Sequence, residues 1–239
     1  YHGCVPLKED GSLKSVRIFG HTYKGKGLYE VLESYVRKGF YAMDPKEKER
    51  GKDIMWYIWL SENSPLFGKD KMATFERYFL AEKETHKEKK NPYYLLLEDE
   101  KVVEKILKEF GLENEDAHII NGHVPVKCKD GENPVKCGGK VLVIDGGFSK
   151  AYQKETGIAG YTLIYNSYGL ILAAHKPFES TEAAIEKESD IHSDSTVVKR
   201  TLERKKVEDT DVGEELKEQI LDLEVLLAAY RSGVIAERM

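Results

Sequence analysis

Two short motifs pair a histidine with a glycine: His2-Gly3, and Gly122-His123 in the middle of the chain. Imidazole nitrogens suit zinc, manganese and iron, and a glycine neighbour leaves the ring free to approach an ion. Each motif alone is also what an ordinary turn would carry. Lys69, Lys71 and Arg77 form the most local basic cluster, beside the turn-rich segment 61–71. Such cations can hold phosphate oxygens or simply be solvated surface charges. Cys128 and Cys137 lie nine positions apart around a Gly/Asp/Asn-rich loop, a poor pattern for zinc, which favours close pairs. His21 and His86 sit in polar surroundings and read as solvated, His175 as a satisfied strand end, and Asp145 before Gly146-Gly147 as a turn. Trp56 and Trp59 read as core packing rather than a sugar platform.

These residues need elements to position them. Leu28, Leu32, Tyr35 and Val36 recur at helical spacing, as do Met72, Phe75, Tyr78 and Phe79. The charged runs 44–53 and 82–90 read as solvent-facing. Tyr93 to Leu97 is an apolar stretch that reads as a strand. Val102, Val103, Ile106, Leu107 and Phe110 predict a helix that Gly111 ends. Ile119-Ile120 leads into the second histidine motif. Val141 to Ile144 predicts a strand buried on both faces, and 161–165 with 170–175 predict a hairpin around a four-residue loop. Asp211 and Glu214 suggest a capping box. Leu216, Ile220, Leu223, Leu227 and Tyr230 then form one helical stripe, two heptads long, which predicts packing on its own domain rather than a free coiled coil.

The 239 residues suit one large domain or two small ones. With 37 basic and 42 acidic residues the formal charge is −5, which weighs against a nucleic-acid-binding protein. No uncharged apolar run reaches the 18 or so residues of a membrane helix. Three cysteines, Cys4, Cys128 and Cys137, are an odd and widely spaced set. They fit a reducing cytoplasm better than a disulfide framework.

The order of features carries more than either motif. His-Gly is followed by a Trp-rich segment with a basic loop, then Gly-His, then Val-Leu-Val-Ile-Asp-Gly-Gly, then a hairpin. This order resembles the C-terminal half of the calcineurin-like metallophosphoesterases. Residues 59–79 (WLSENSPLFGKDKMATFERYF), 121–127 (NGHVPVK), 140–150 (KVLVIDGGFSK) and the tail 209–233 are similar to the firmicute-type, class III fructose-1,6-bisphosphatases. The resemblance implies an α/β fold: the C-terminal half of a metallophosphoesterase β-sandwich flanked by helices, ending in a helical tail. It implies a core at 1–176 with a helical insertion near 22–92, and a charged, mainly helical tail at 177–239. It also implies a cytoplasmic, manganese-dependent enzyme of gluconeogenesis that removes the 1-phosphate of fructose 1,6-bisphosphate. His2 and His123 would then bind the same one of two Mn2+ ions, and Lys69, Lys71 and Arg77 are the candidate substrate residues.

The family's first three motifs, Asp-x-His, Gly-Asp-x-x-Asp and Gly-Asn-His, are absent from the opening of the chain, and the latter two occur nowhere in it. The triplets Asp116-Ala117-His118 and Asp190-Ile191-His192 follow no opening strand and read as coincidence. The expectation is a C-terminal piece of a longer polypeptide, with no complete catalytic set and inactive alone. Its partners would be the substrate, the missing N-terminal part and a second copy, with no nucleic acid or membrane. Two alternatives remain: a non-enzymatic oligomerisation or regulatory segment acting through 211–231, and another sugar or nucleotide phosphatase of the superfamily.

Overall fold

The computed structural model describes residues 1–236 apart from 179, 187, 189–192 and 202. The second Asp-x-His triplet, 190–192, therefore lies outside the described residues. The elements run β1 (Val16–Ile18), β2 (His21–Tyr23), α1 (Gly25–Tyr41), α2 (Pro45–Leu60), α3 (Thr74–Phe79), α4 (Tyr93–Leu96) and α5 (Glu100–Glu109). Then come β3 (Ile119–Asn121), β4 (Val135–Lys136), β5 (Val141–Val143), α6 (Lys150–Thr156), β6 (Gly160–Asn166) and β7 (Gly169–His175). The chain closes with α7 (Thr181–Glu186), β8 (Ser193–Arg200) and α8 (Asp211–Arg231). The fold is mixed α/β. Two compact units emerge, 1–162 with 173–194, and 163–172 with 195–239.

The first unit is built around a short mixed sheet in the order β3-β5-β4. Strand β5 is its centre: Val141, Leu142 and Val143 are all buried, as a strand covered on both faces requires. It runs parallel to β3, with Ile119 opposite Val141 and Asn121 opposite Val143, and antiparallel to β4. Helix α5 buries Val102, Val103, Ile106 and Leu107, and the Asp99 carboxylate caps it by accepting from the amides of Lys101 and Val102. Gly111 follows in the left-handed region, at φ 77°.

Helices α1 and α2 form a hairpin beside the β1-β2 ribbon. Asp44 caps α2 and Pro45 occupies its first position, where a missing amide costs nothing. The two helices touch backbone to backbone, since a Cβ on Gly39 would fall 2.5 Å from the Gly51 Cα. Val16, Ile18, Leu28, Leu32 and Ile54 form the small core there. Full burial of an aliphatic side chain such as Leu28 stabilises by about 1.5–3 kcal/mol.

Several expectations change. Tyr93 to Leu97 is a helical turn, not a strand. Pro92 opens it and the Asn91 side chain accepts from the Tyr93 amide, which together set a turn rather than an extended run. Trp56 and Trp59 are 68% and 62% exposed. The packed stripe of α2 runs through Gly51, Ile54 and the partly buried Tyr57 and Ile58, and the tryptophans fall outside it. Helix α3 is only six residues long and buries none of its aromatic side chains. The predicted hairpin forms, with a tighter connection at Ser167-Tyr168.

In the second unit Thr210, not Asp211, caps α8, its hydroxyl accepting from the Gly213 amide at 3.2 Å. The α8 stripe does not pack on its own domain. Its only buried residue is Gly213, while Leu223 and Leu227 are 63% and 49% exposed. Solvent rather than core therefore meets this stripe. The L223D/L227D variant is expected to change the unfolding free energy by no more than about 0.5 kcal/mol, as surface substitutions do. A urea melt followed by circular dichroism checks this; an unfolded variant would mean the stripe is packed.

Candidate functional site

The two histidines meet at the carboxyl end of β3. That strand ends at Asn121, and Gly122 and His123 turn away from it. The segment beginning at Tyr1 lies alongside, its carbonyl accepting from the Gly122 amide at 3.0 Å. His123 Nδ1 comes within 3.0 Å of His2 Nε2, with ring centroids 4.7 Å apart. His123 takes a φ of 65°, a left-handed conformation that costs a non-glycine residue about 1–3 kcal/mol.

A buried amide holds these two loops together. Asn121 is 1% exposed. Its Nδ2 donates to the carbonyls of Gly3 at 2.9 Å and Gly122 at 3.0 Å, with the His2 carbonyl at 3.4 Å. Its Oδ1 accepts from the hydroxyl of Tyr93, itself wholly buried. One side chain thus fixes the backbones beside both rings. Gly3 is pinned on its other side by the loop after α2. A Cβ there would lie 2.1 Å from the Pro65 carbonyl oxygen, the same oxygen that accepts from the Cys4 amide. The buried Ser64 sets that loop, donating to the Ile58 carbonyl at 2.6 Å and accepting from the Leu66 amide.

Burial, then the neighbouring His2 and the Lys69 charge, hold His123 below the ordinary histidine pKa. A neutral ring keeps a lone pair for a metal. With imidazole–metal bonds of roughly 2.1 Å, two nitrogens at a right angle on one ion stand about 3 Å apart. The observed spacing fits two neighbouring ligands of a single ion. Among the described residues no group of three or more His, Cys, Asp or Glu side chains is placed to bind a metal.

Two of the three basic candidates share one carboxylate, and the third stands apart. Lys69 Nζ donates to Glu88 Oε2 at 2.9 Å, and Arg77 Nη2 lies 3.4 Å from Glu88 Oε1. The Ala73 amide donates to the same carboxylate at 3.0 Å. Lys71 instead donates to the Thr85 carbonyl at 2.7 Å. Lys69 is the one of the three whose charge acts on His123. Burial pushes the Glu88 carboxyl up, but its hydrogen bonds from Lys69 and Ala73 and the charges of Lys69 and Arg77 outweigh this and leave it lowered.

Other polar residues have local partners. His175 contacts the hydroxyls of Thr162 and Ser193 at 2.7 and 2.8 Å, the satisfied strand end that was expected. Asp145 accepts from the Gly147 amide in its turn. His86, expected to be solvated, is half-buried and bonds the Leu80 carbonyl. His118, of the first Asp-x-His triplet, bonds the Gly139 carbonyl at 2.8 Å. Cys128 and Tyr161 lie 2.6 Å apart, sulfur to hydroxyl. Among the described residues no helix is long and apolar enough to cross a membrane.

Asn121, Tyr93 and Glu88 escape a search for chemistry-bearing motifs. Asn121 did leave a trace: at period two from Ile119 it falls on the buried face of β3, where a polar side chain must have partners.

The family described as Firmicute fructose-1,6-bisphosphatase matches residues 1–232, and the chain belongs to it. The "Fructose-1,6-bisphosphatase class 3" of Clostridium botulinum (strain Hall / ATCC 3502 / NCTC 13319 / Type A) is 59% identical over 238 residues, 99% of this chain and 36% of that protein. The "Fructose-1,6-bisphosphatase class 3 1" of Clostridium beijerinckii (strain ATCC 51743 / NCIMB 8052) is 57% identical, over 100% of this chain and again 36% of the relative. The chain thus spans little more than a third of the length of these relatives. No solved structure matches it.

Three substitutions test this geometry. G3A is expected to destabilise by about 1–3 kcal/mol, because the methyl group meets unyielding backbone. G122A is expected to be nearly silent, since nothing lies closer than 3.9 Å to its Cβ position. N121A is expected to cost on the order of 3 kcal/mol by orphaning buried carbonyls. Urea melts of the three variants check the ranking.

The Glu88 carboxylate gives a pH test. Its folded pKa is lowered, so its contribution is present above the unfolded value and fades as pH falls through the folded one. The protection of the Ala73 amide against hydrogen exchange, relative to its unfolded rate at the same pH, is expected to fall as pH drops through the folded pKa of Glu88. In E88A that protection should be low at every pH.

Proposed function

We propose that this chain supplies the two histidine ligands of one Mn2+ in a two-metal enzyme that removes the 1-phosphate from fructose 1,6-bisphosphate. The observation that carries it is the 3.0 Å approach of His2 and His123, on a clamped backbone, in a member of this family. Bound cations of this kind activate a water and neutralise charge on the phosphoryl oxygens. His2 and His123 would hold the ion through neutral nitrogens, and Asn121 would keep both rings in place. Lys69 would hold substrate phosphate, with Arg77 and Lys71 on the same loop system.

Hard Mn2+ needs carboxylate oxygens as well as imidazole. In this reading the carboxylates and the acid that protonates the leaving alkoxide come from polypeptide of the kind the longer relatives carry. The β3-β5-β4 sheet would be one part of a β-sandwich completed there. The setting is cytoplasmic gluconeogenesis. A second reading, favoured by the exposed stripe of α8, makes 211–231 an association surface between copies.

Isothermal titration of the 239-residue chain with Mn2+ should give only weak binding, lost in H2A and H123A. In the full-length polypeptide either variant should lower phosphate release from fructose 1,6-bisphosphate by roughly 100-fold or more. Tight, stoichiometric Mn2+ binding by the chain alone, or full activity of H2A, would overturn the proposal.

A further inference from the structure

An apolar groove runs along the α1–α2 hairpin and opens beside His2. Its inner end is a hollow of about 380 Å³, lined by His2, Tyr29, Leu32, Ile58 and Leu66. Its outer part holds about 660 Å³, lined by Phe40, Met55, Trp56 and Trp59 with Gly39 and Gly51. Val36 and Met55 belong to both, so the two hollows form one continuous trough. All of these residues lie in the first compact unit.

The helix crossing makes the trough. A Cβ on Gly51 would fall 2.6 Å from the Gly39 Cα, so the two backbones meet with no side chain between them. Val36, Gly39 and Phe40 recur at helical spacing on α1, as do Gly51, Met55, Trp56 and Trp59 on α2, and both rows line the same hollow. From Lys48 to Trp59 the trough follows α2 for roughly 17 Å, about three helical turns. A groove of this length between two packed helices is the shape that receives a third.

Its walls are apolar where water should favour polar groups. Phe40 is 77% exposed and Met55 54%. With the two exposed tryptophans they line one hollow, and a joined apolar patch of this kind marks contact with another polypeptide, as singly scattered residues do not. Glu33, in the inner lining, is already paired with Arg37 at 2.6 Å. Lys48 and Lys52 line the outer part.

Two observations indicate what covers it. The trough opens at His2, and in the function proposed above His2 shares its ion with carboxylates from outside this chain; the polypeptide that brings them must reach this mouth. The relatives are matched over only 36% of their length, so each carries a large body of polypeptide beyond the part this chain resembles. Tyr1 is laid along β3 at the same end, its amino group donating to the Ile120 carbonyl and its carbonyl accepting from the Gly122 amide. A second copy seated in the trough would instead hold that polypeptide away from His2.

We propose that a helix from the remainder of the full-length polypeptide fills this trough and completes a three-helix bundle with α1 and α2. Its buried face is apolar, and acidic residues beside that face meet Lys48 and Lys52. The choice of occupant rests on the function proposed above.

Photo-crosslinking of the full-length polypeptide tests this, with p-benzoylphenylalanine incorporated at Trp59 or, separately, at Phe40. Mass spectrometry after irradiation is expected to find both positions joined to one segment outside the 239 residues. M55E/W56E should abolish this cross-link, whereas E49K on the same helix should keep it. The 239-residue chain carrying M55E/W56E should keep its thermal melt, as exposed substitutions do, which separates loss of docking from loss of fold. H2A should retain the cross-link, so failure of the metal proposal shows separately, as retained phosphatase activity in H2A. Cross-links confined to the 239 residues of the same or a second copy, no cross-link at either position, or a cross-link indifferent to M55E/W56E would overturn the inference.

Discussion

The candidate site depends on one buried amide. Asn121 shares two hydrogens among three backbone carbonyls and gives its oxygen to the Tyr93 hydroxyl. Removed from water, each of these groups would be expensive to leave unpaired. The loops carrying His2 and His123 are 121 positions apart in sequence, yet they cannot drift independently while this network is intact. The parallel pairing of β3 with β5 then anchors Asn121 itself, opposite Val143. The close approach of two imidazoles from distant parts of the chain is thus a property of the sheet beneath them.

A similar economy governs the basic loop. A single half-buried carboxylate, Glu88, gathers Lys69, Arg77 and the Ala73 amide. Such an arrangement organises cations without letting them scatter into solvent, and it lowers their mutual repulsion. It also means that the formal charges of Lys69 and Arg77 overstate the field they project.

Much of the fold was legible in the sequence because periodicity and punctuation agreed. Val141 to Ile144 read as a doubly buried strand, and Val141–Val143 forms one; α5 read from its stripe and from Gly111. What misled was apolar residues without a stated partner. Tyr93 and its neighbours carry strand-like side chains, but a Pro92 start and an Asn91 cap decide for a helical turn. Tryptophans usually pack, yet those of α2 lie off the stripe that α1 covers. The histidine pair was legible only through motif order. Asn121 and Glu88 were not, because their role is to satisfy groups that only the folded chain brings near.

The close Gly39–Gly51 crossing lets α1 and α2 seal their shared core with very little side-chain bulk, leaving the two indole rings of α2 on the outside. The chain has two tryptophans, Trp56 and Trp59, and both stand on this one helix in water. Its entire indole fluorescence therefore originates from a single surface. Emission from the folded chain is expected to be red-shifted and open to aqueous quenchers, and anything that covers the hairpin should change the whole signal rather than a fraction of it.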